Sequence, residues 1–342
     1  MKIYLRLKWL VTGVFLVILT LPGMALSDES VLQRPAANVF IQKMVEQHAF
    51  DEQALKKLFS QAKLLPDVIA RMTRPAEGLP WHRYRQIFIK ESRITQGYKF
   101  WQQQAEVLHK AEAKYGVPAE VIVAIIGVET LYGQRKGSFK ILSSLSTLAF
   151  DYPKRSPFFT KELEHFLLLT REEKLDPLTL QGSYAGAMGF PQFIASSYRH
   201  YAIDFDQDGQ RDLLNNVADA IGSVANYLHK HGWSRDQPVT RQVSVTGGDF
   251  ATLIDKGLKP HSKLADFANF GVSVDETLAP ESKASLIQLE ASEGHQYWLG
   301  LNNFYVITRY NHSALYAMAV YQLAEEIRQI EQENGLRLSG ML

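Results

Sequence analysis

A glutamate stands on the apolar face of a predicted helix. Glu129 follows Ile122, Ile125 and Ile126 by seven, four and three residues, so on a helix its carboxyl lies on the face that these isoleucines bury. Burial disfavours the charged form of a carboxyl group and raises its pKa. An acid that stays protonated near neutral pH can donate a proton to a leaving oxygen. The pattern indicates a general acid at Glu129; the alternatives are a structural glutamate paired with a buried arginine, or a helix turned so that Glu129 meets solvent.

An acidic loop at positions 204–215 offers a second kind of chemistry. It matches the EF-hand calcium loop through the ninth position, with carboxylates at positions one, three and five and Gly209 at the sharp turn. Asn215 replaces the bidentate glutamate of position twelve, and an aspartate one helical turn later can supply that carboxylate. We expect a structural Ca²⁺ ion, held by the side chains of Asp204, Asp206, Asp208 and Asp219 and the backbone carbonyl of Gln210. A solvated acidic turn is the alternative, and Mg²⁺ is disfavoured because it keeps its waters.

Composition and the N-terminus describe an exported globular protein. The chain has 342 residues, of which 46% are hydrophobic, enough for two or three domains. Lys2, Arg6 and Lys8 precede an apolar run at 9–21 and small residues near Ala25, which predicts a signal peptide at 1–25, either cleaved or kept as an anchor. Removing its three basic residues from the total of 37 leaves 34 against 36 acidic residues, which argues against nucleic acid as a partner.

Several kinds of site are excluded or disfavoured. Cysteine is absent, so the chain forms no disulfide, no cysteine-based zinc site, no catalytic thiol and no lipid-anchor thioether. His229 and His231 lie two residues apart on a predicted helix and point to different faces, which disfavours zinc. No glycine-rich phosphate loop follows a predicted strand, and we expect no organic cofactor.

The periodicity predicts a mainly α protein of the α+β class. Predicted helices cover 39–46, 52–62, 65–72, 95–114, a segment from Pro118 that carries Glu129, 141–149, 160–173, 193–201, 217–231 and 312–333. Predicted strands cover 240–246, 285–289 and 305–308. Residues 181–192 are rich in Gly, Ala and Ser and are predicted to be a loop, in which Gly186 and Gly189 would let the chain pass close to a ligand.

These elements suggest a division of the mature chain into four regions. We predict an N-terminal helical region at 30–100, a catalytic core with the calcium loop at 101–233, a small β-containing insert at 234–301 and a return to the core at 302–333. The composition changes after Trp233, where alternating segments replace the helical ones.

Five segments in one order resemble the membrane-bound lytic transglycosylase B family of bacterial cell-wall enzymes. They are Ile125–Thr130, Gly182–Gln192, the calcium loop, Ala220–Tyr227 and Asn303–Asn311, and the resemblance runs from about 39 to 324. It implies a lysozyme-like helical core with a small β insert, and a murein substrate cleaved between N-acetylmuramic acid and N-acetylglucosamine. Glu129 matches the family's single catalytic acid/base.

The resemblance also implies substrate-binding residues. Those of the saccharide-binding loop are Ser183, Tyr184, Met188 and Gln192; those of an aromatic groove are Tyr84, Tyr227, Tyr305 and Tyr310; and Lys154 and Arg155 fall where basic residues could meet acidic stem peptides. Two departures stand out. The lipid-attachment cysteine of many members is absent, and Pro191 replaces a small glycine of the loop.

One carboxylic acid can suffice for the expected reaction. Most glycosidases use two, but Glu172, Glu173 and Asp176 lie in a charged stretch that is typical of a solvated face. Substrate assistance removes the need for a second, because the 2-acetamido oxygen of the sugar can attack C1. The muramyl C6 hydroxyl then closes on C1 and gives a 1,6-anhydro product. Ser183 could orient the acetamido group, or it could simply cap its loop.

Three other functions fit parts of the sequence. They are a lysozyme-type hydrolase that uses the same acid, a non-catalytic murein-binding scaffold and a calcium-regulated interaction protein. The resemblance implies glycan strands as the partner, with proteins of cell-wall synthesis or remodelling as further candidates and a monomer as the default. The expected location is the periplasm, with the protein soluble or held by its uncleaved signal.

Overall fold

A computed structural model describes residues 30–73 and 78–339 of the chain. The predicted signal at 1–25 lies outside these residues. The described α-helices, in chain order, are α1 (Pro35–His48), α2 (Glu52–Ser60), α3 (Pro66–Met72), α4 (Trp81–Phe88), α5 (Glu91–Gln103), α6 (Ala105–Tyr115), α7 (Ala119–Thr130), α8 (Ile141–Asp151), α9 (Ser156–Glu172), α10 (Ala195–Tyr201), α11 (Val217–Lys230), α12 (Ala251–Ile254), α13 (Asn302–Thr308) and α14 (Ala314–Ser339).

Two small antiparallel sheets accompany the helices. A two-stranded sheet joins β1 (Phe139–Lys140) to β2 (Gln181–Gly182). A four-stranded sheet has the order β3-β6-β5-β4, formed by β3 (Thr240–Val243), β4 (Ser262–Lys263), β5 (Lys283–Glu290) and β6 (His295–Gly300). The prediction of a mainly helical fold with a little antiparallel sheet is confirmed.

The helix α7 lies at the centre of the molecule. It packs against α5, α6, α11 and α14, and its residues 121–127 are all buried. Pro118 precedes its first turn, where a missing N–H is tolerated. The helix ends abruptly because Leu131, Tyr132 and Gly133 have φ values of 51°, 58° and 87°. Two of these are not glycine, so the chain stores about 1–3 kcal/mol of strain at each, directly after Glu129.

The strand β5 joins the four-stranded sheet to the main body. Ala284 and Leu286 face a small hydrophobic cluster of the sheet, whereas Ile287 and Leu289 belong to the main core. This alternation follows from the two-residue period of a strand, which sends neighbouring side chains to opposite faces. The sheet therefore shares one face with the helical body and covers the other with its own loops. The boundaries of the four predicted regions stay a prediction.

Two predictions of local structure are wrong, and one strand was missed. The helix predicted over 95–114 is two helices, because the chain bends at Gln104 (φ −116°, ψ 17°) between α5 and α6. The predicted strand at 305–308 lies within α13, where Phe304 and Ile307 are buried at helical spacing. The strand β6 was not predicted, since its hydrophobic alternation is weak.

Within the described parts of the chain, no helix combines the length and the apolar character that crossing a membrane requires.

Candidate active site

Glu129 lines a cavity of about 800 Å³. It is the last-but-one residue of α7, so the helix holds it at the edge of the core, where the strained turn leads the chain away. Side chains from four other stretches of the chain complete the walls: 155–158, 192–201, 227–231 and 309–312. Those used in the argument below include Arg155, Gln192, Phe193, Tyr227, His231, Arg309 and Tyr310. Of the described residues that line this cavity, Glu129 is the only carboxylic acid.

The environment of Glu129 favours its protonated form. Burial raises the pKa of Glu129 to about 7, and a hydrogen bond from Tyr316 offsets only part of this rise. The Tyr316 Oη atom donates to Glu129 Oε1 over 2.6 Å. No arginine of residues 30–73 or 78–339 forms an ion pair with Glu129, and its side chain faces a cavity rather than an open surface. The geometry supports the proton-donor interpretation over both alternatives.

Tyr316 was not predicted from the sequence. It lies on the first turn of α14, 187 residues after Glu129, and only 3% of its side chain is exposed. Tyr316 stacks on Tyr310 with ring centres 6.3 Å apart and planes 12° apart. Burial holds the pKa of both phenols well above the ordinary value, so both keep their protons. In the sequence, an aromatic residue with this helical spacing is typical of plain core.

Two of the predicted groove tyrosines form the aromatic wall of the cavity. Tyr227 and Tyr310 meet edge to face with ring centres 4.9 Å apart, and Phe193 lies 5.8 Å from Tyr310. Hydrogen bonds fix both rings: Tyr227 Oη donates to Arg309 O and Tyr310 Oη donates to Pro191 O, each over 2.6 Å. Pro191 thus supplies an anchor for the wall.

The other two tyrosines lie elsewhere. Tyr84 is buried, with 2% of its surface exposed, between Trp81 and Phe88. It is near enough to Tyr316 to influence its pKa, so it stands behind the site. Tyr305 lines a neighbouring cavity, on the side of the four-stranded sheet.

The loop at 182–192 is held together by its own polar side chains. Ser183 Oγ accepts hydrogen bonds from the N–H groups of Ala185 (3.3 Å) and Ala187 (3.0 Å), which is the loop-capping arrangement. Ser183 is not among the residues that line the cavity of Glu129, and its predicted contact with the acetamido group stays a prediction. Gln192 Nε2 donates to Lys136 O (3.1 Å) and Gly189 O (2.9 Å) while its side chain lines the cavity.

The remaining residues of this loop lie away from the cavity that contains Glu129. Met188 is fully buried, and Tyr184 is half-buried against the ring of Phe139. Gly186 and Gly189 are needed for packing within the protein, and their approach to a ligand stays a prediction. A Cβ on Gly186 would meet the side chain of Leu145, and one on Gly189 would clash with the backbone carbonyl of Leu213.

The two basic candidates differ in position. Arg155 lines the cavity with its guanidinium 4.4 Å from the ring centre of Phe158, an arrangement that favours a cation. Lys154 is exposed on the same short turn and is not among the cavity's lining residues. Glu172 and Glu173, dismissed as a second catalytic acid, pair with Arg199 and Arg211 on the outer face.

The acidic loop brings three carboxylates together. One oxygen each from Asp204, Asp206 and Asp219 lies within 4.8 Å of the others, and Gly209 turns the chain at φ 94°. Hard oxygen donors at this spacing fit Ca²⁺, which takes six to eight oxygens. Asp208 Oδ1 accepts from the N–H of Gln210 (2.9 Å) and lies outside the trio. This trio shows the predicted departure from the EF-hand: Asp219, which lies after the loop, joins the carboxylates of loop positions one and three.

Backbone donors orient two of these carboxylates. Asp219, fully buried on the first turn of α11, accepts from the N–H groups of Phe205 (2.7 Å) and Asp212 (2.8 Å). Asp204 accepts from the N–H groups of Asp208 and Gly209 (3.0 and 2.8 Å). These bonds compensate part of the repulsion between like charges and hold the oxygens in place for a cation.

Comparison with known proteins shows the family of this chain. The family model described as "Transglycosylase SLT domain" matches residues 33–325. The chain is 46% identical over 303 residues to Membrane-bound lytic murein transglycosylase B of Escherichia coli K12, covering 86% of this chain and 82% of the relative.

Solved structures share the fold. The lytic transglycosylase Slt35 of Escherichia coli in complex with calcium matches with a TM-score of 0.80 and 44% identity, covering 87% of this chain and 94% of Slt35. SltB3 of Pseudomonas aeruginosa in complex with NAG-anhNAM-pentapeptide matches with a TM-score of 0.77 and 31% identity, covering 88% of this chain and 80% of SltB3. From the single carboxylic acid among the described residues that line the cavity, the aromatic wall and these matches, it follows that the chain belongs to the membrane-bound lytic murein transglycosylase B family.

Proposed function

We propose that this protein is a lytic transglycosylase of peptidoglycan, which cleaves the β-1,4 bond between N-acetylmuramic acid and N-acetylglucosamine. The observation that carries the proposal is Glu129, the only carboxylic acid among the described lining residues of its cavity, with a pKa of about 7. Such a group is protonated in a large fraction of molecules at neutral pH and can also act as a base after it has donated its proton.

The first step of the proposed reaction breaks the glycosidic bond. Glu129 donates its proton to the glycosidic oxygen, and the bond between that oxygen and C1 of the muramyl residue breaks. The 2-acetamido oxygen attacks C1 from the opposite face and forms an oxazolinium ion, which takes the place of a second protein carboxylate. Arg155 and Arg309 line the cavity without a second acid, which favours substrate assistance over a protein nucleophile.

The second step closes the anhydro ring. The Glu129 carboxylate takes the proton of the C6 hydroxyl, and O6 attacks C1 as the acetamido group leaves. An intramolecular nucleophile benefits from a high effective concentration. The phenols of Tyr310 and Tyr316 keep their protons throughout, because burial holds the pKa of each far above neutrality.

Exclusion of water decides between the two products. A water molecule at C1 would give the reducing end that a lysozyme-type hydrolase makes. Phe193, Tyr227 and Tyr310 form an aromatic wall of the cavity that also contains Glu129. A sugar bound against this wall would leave little room for a water molecule at C1. The complex of SltB3 with an anhydromuramyl compound supports the anhydro product in this family.

The acidic loop would hold Ca²⁺ as a structural ion. Asp204, Asp206 and Asp219 are the proposed carboxylate ligands, and Asp208 and Gln210 stay candidates for the remaining positions. The calcium complex of Slt35 supports this assignment. The ion would join the loop to α11, which carries Tyr227 of the aromatic wall, so its contribution to activity is indirect.

The location and the partners follow from the proposed substrate. A murein enzyme of this family works on the periplasmic glycan strands, and the relative from Escherichia coli is described as membrane-bound. Because the chain has no cysteine to carry a lipid anchor, we expect the protein in the periplasm either as a soluble form or held by its N-terminal signal. Proteins of wall synthesis or remodelling are the candidate protein partners, with a monomer as the default state.

Product analysis tests the proposal directly. Purified murein sacculi are incubated with the protein, and the released muropeptides are analysed by mass spectrometry. We expect 1,6-anhydromuramyl ends, which are lighter by one water molecule than reducing ends. Reducing ends would make the protein a hydrolase, and glycan binding without release would make it a scaffold; either result contradicts the proposal.

A further inference from the structure

A second cavity of about 800 Å³ lies where the four-stranded sheet meets the helical body. Its walls come from the turn after α11, the start of β3, the loops on either side of β4 and the N-terminal half of α13. Four of its side chains are basic or can become so: His231, Arg241, Lys259 and Lys283. None of the described residues that line it is acidic.

These cations are not neutralised by neighbouring acids. Lys259 and Lys283 are exposed to the cavity and form no ion pair with any residue of 30–73 or 78–339. Arg241 Nη1 donates to the carbonyl of Thr240 over 3.1 Å. Arg241 forms no ion pair within residues 30–73 and 78–339, although it lies near enough to Asp275 to contribute to the lowered pKa of that carboxyl, which is due mainly to hydrogen bonds from Thr277. Like charges gathered in one concave site raise its affinity for an anion.

This cavity adjoins the one that contains Glu129. His231 lines both, and its ring stacks on Tyr227 of the aromatic wall with centres 4.1 Å apart. Arg309 of the first cavity lies over the ring of Tyr305 of the second, 5.8 Å from its centre. A ligand bound at Glu129 can therefore extend past His231 into the basic cavity without leaving the protein surface.

The chemistry of the lining selects one part of the proposed substrate. The alternating amino sugars carry no net charge once the muramyl lactyl group is amide-linked, and sugars bind to aromatic surfaces with hydrogen bonds. The second cavity offers a single aromatic residue, Tyr305, against its several cations. The charged part of murein is the stem peptide, which carries free carboxylates. Amino groups and a guanidinium suit carboxylates as charge-assisted donors.

We propose that this basic cavity binds the acidic stem peptide of a muramyl residue whose sugar lies in the cavity of Glu129. The inference rests on the proposed function and adds a preference to it: the enzyme favours peptide-bearing over naked glycan, because Lys259, Lys283 and Arg241 contact the peptide carboxylates. This site does not include Arg155, which lines the cavity of Glu129 beside Phe158 and does not line the basic cavity.

Equilibrium binding of two uncleavable probes tests the inference. The probes are NAG-NAM-pentapeptide and a peptide-free NAG-NAM whose lactyl carboxyl is capped as a simple amide, so that only the first probe carries carboxylates. Their single glycosidic bond runs from N-acetylglucosamine to N-acetylmuramic acid and is not the bond that the proposed reaction breaks. The full-length protein is titrated with each probe by calorimetry. We expect Lys259→Gln/Lys283→Gln to weaken binding of the pentapeptide probe by about tenfold and to leave binding of the peptide-free probe unchanged.

Two matched variants complete the experiment. Lys256→Gln removes one lysine charge three residues before Lys259. Lys256 faces the ring of Phe270 and does not line the cavity. We expect this variant to bind both probes like the unmodified protein. Arg155→Gln tests the other basic wall. The inference is overturned if the double variant binds the pentapeptide probe normally, if it loses both probes equally, or if only Arg155→Gln weakens the peptide-dependent part.

The outcome is independent of the product analysis. If murein is cleaved to anhydro products and the double variant binds normally, this inference fails and the proposed function stands. If the peptide-dependent binding is lost in the double variant but no cleavage occurs, the peptide site stands and the catalytic proposal fails.

Discussion

Two carboxylates of this protein, the partly exposed Glu129 and the fully buried Asp219, have opposite surroundings. Glu129 sits at the end of α7 with a phenol as its hydrogen-bond donor, at 2.6 Å, and faces a cavity. Asp219 sits at the start of α11, where two backbone N–H groups donate to its two oxygens at 2.7 and 2.8 Å. Burial raises the pKa of both, but the backbone bonds of Asp219 act against that rise.

The difference shows how the fold assigns a task to the same functional group. Backbone donors cannot rotate away, so they favour a permanently ionised carboxylate, which suits a structural role beside a cation. Glu129 instead accepts a hydrogen bond from one side-chain phenol and lines a cavity, so its proton can be exchanged with a bound ligand. Chemistry therefore belongs at the carboxyl group that has access to a cavity and no backbone donors to fix its charge, and we expect variants to separate activity from stability accordingly.

The largest effect should come from Glu129→Gln. The amide keeps the shape but cannot exchange a proton, so we expect turnover of murein to fall by about a hundredfold to ten-thousandfold. Release of muropeptides, measured by chromatography, checks this. Cleavage at the unmodified rate would remove Glu129 from the catalytic role.

Stability provides the control for that variant. The pKa of about 7 in the folded state exceeds the ordinary 4.5, so the ionised group opposes folding: the penalty is absent below about pH 4.5 and complete above about pH 7. Glu129→Gln should therefore match the unmodified protein in thermal unfolding at pH 4 and be more stable at pH 8, by up to about 3 kcal/mol.

The next effect concerns the acidic loop. Asp219→Asn leaves a buried backbone N–H facing an amide N–H, and we expect a loss of about 1–3 kcal/mol in the free energy of unfolding, whether or not calcium is present. Asp206→Asn alters an exposed side chain of the same trio and should lose only the calcium-dependent part.

Thermal unfolding in Ca²⁺ and in chelator separates the two contributions. For the unmodified protein we expect Ca²⁺ at about a hundred times its dissociation constant to add about 2.7 kcal/mol. Equal melting temperatures in Ca²⁺ and in chelator would argue against a structural ion in this loop.

The smallest effect should come from Tyr316→Phe. The phenol stabilises the ionised form of Glu129, so its loss raises the pKa of Glu129 further above 7. Since catalysis needs the protonated acid, kcat/KM of the unmodified protein should decline above about pH 7, and the variant's decline should begin at higher pH. At pH 8 the relative activity retained should be a few-fold greater.

The matched control is Tyr321→Phe, on the same helix but in contact with Trp298 rather than Glu129. Its pH profile should coincide with that of the unmodified protein. Identical profiles for all three proteins would show that Tyr316 does not tune the acid.

The sequence revealed those parts of the site that depend on local spacing. The helical period alone places Glu129 among Ile122, Ile125 and Ile126, and the structure has that helix at the centre of the core. The spacing of the acidic residues in the loop brings Asp204 and Asp206 together, and Asp219 joins them from the first turn of α11. In each case the relevant residues are neighbours in the chain.

Contacts between distant segments could not be read in this way. Tyr316 reaches Glu129 only because α14 packs against α7, and no spacing within α14 distinguishes Tyr316 from core residues. The roles of glycines are equally hard to predict. Position 189 must be glycine because a Cβ there would clash with the backbone carbonyl of Leu213, which is 24 positions away in the chain. The β-branched residues of 306–308 favour a strand, but burial of Phe304 and Ile307 against the helical body selects a helix.

The packing of α14 against α7 makes the acidity of the site depend on a helix outside the cavity. Tyr316 of α14 donates to Glu129 Oε1 over 2.6 Å, and that hydrogen bond lowers the pKa of Glu129 against the effect of burial. Two segments that lie 187 residues apart in the chain therefore share control of one proton. A substitution that shifts α14 along α7 can change the working pH of the enzyme without altering any residue that lines the cavity.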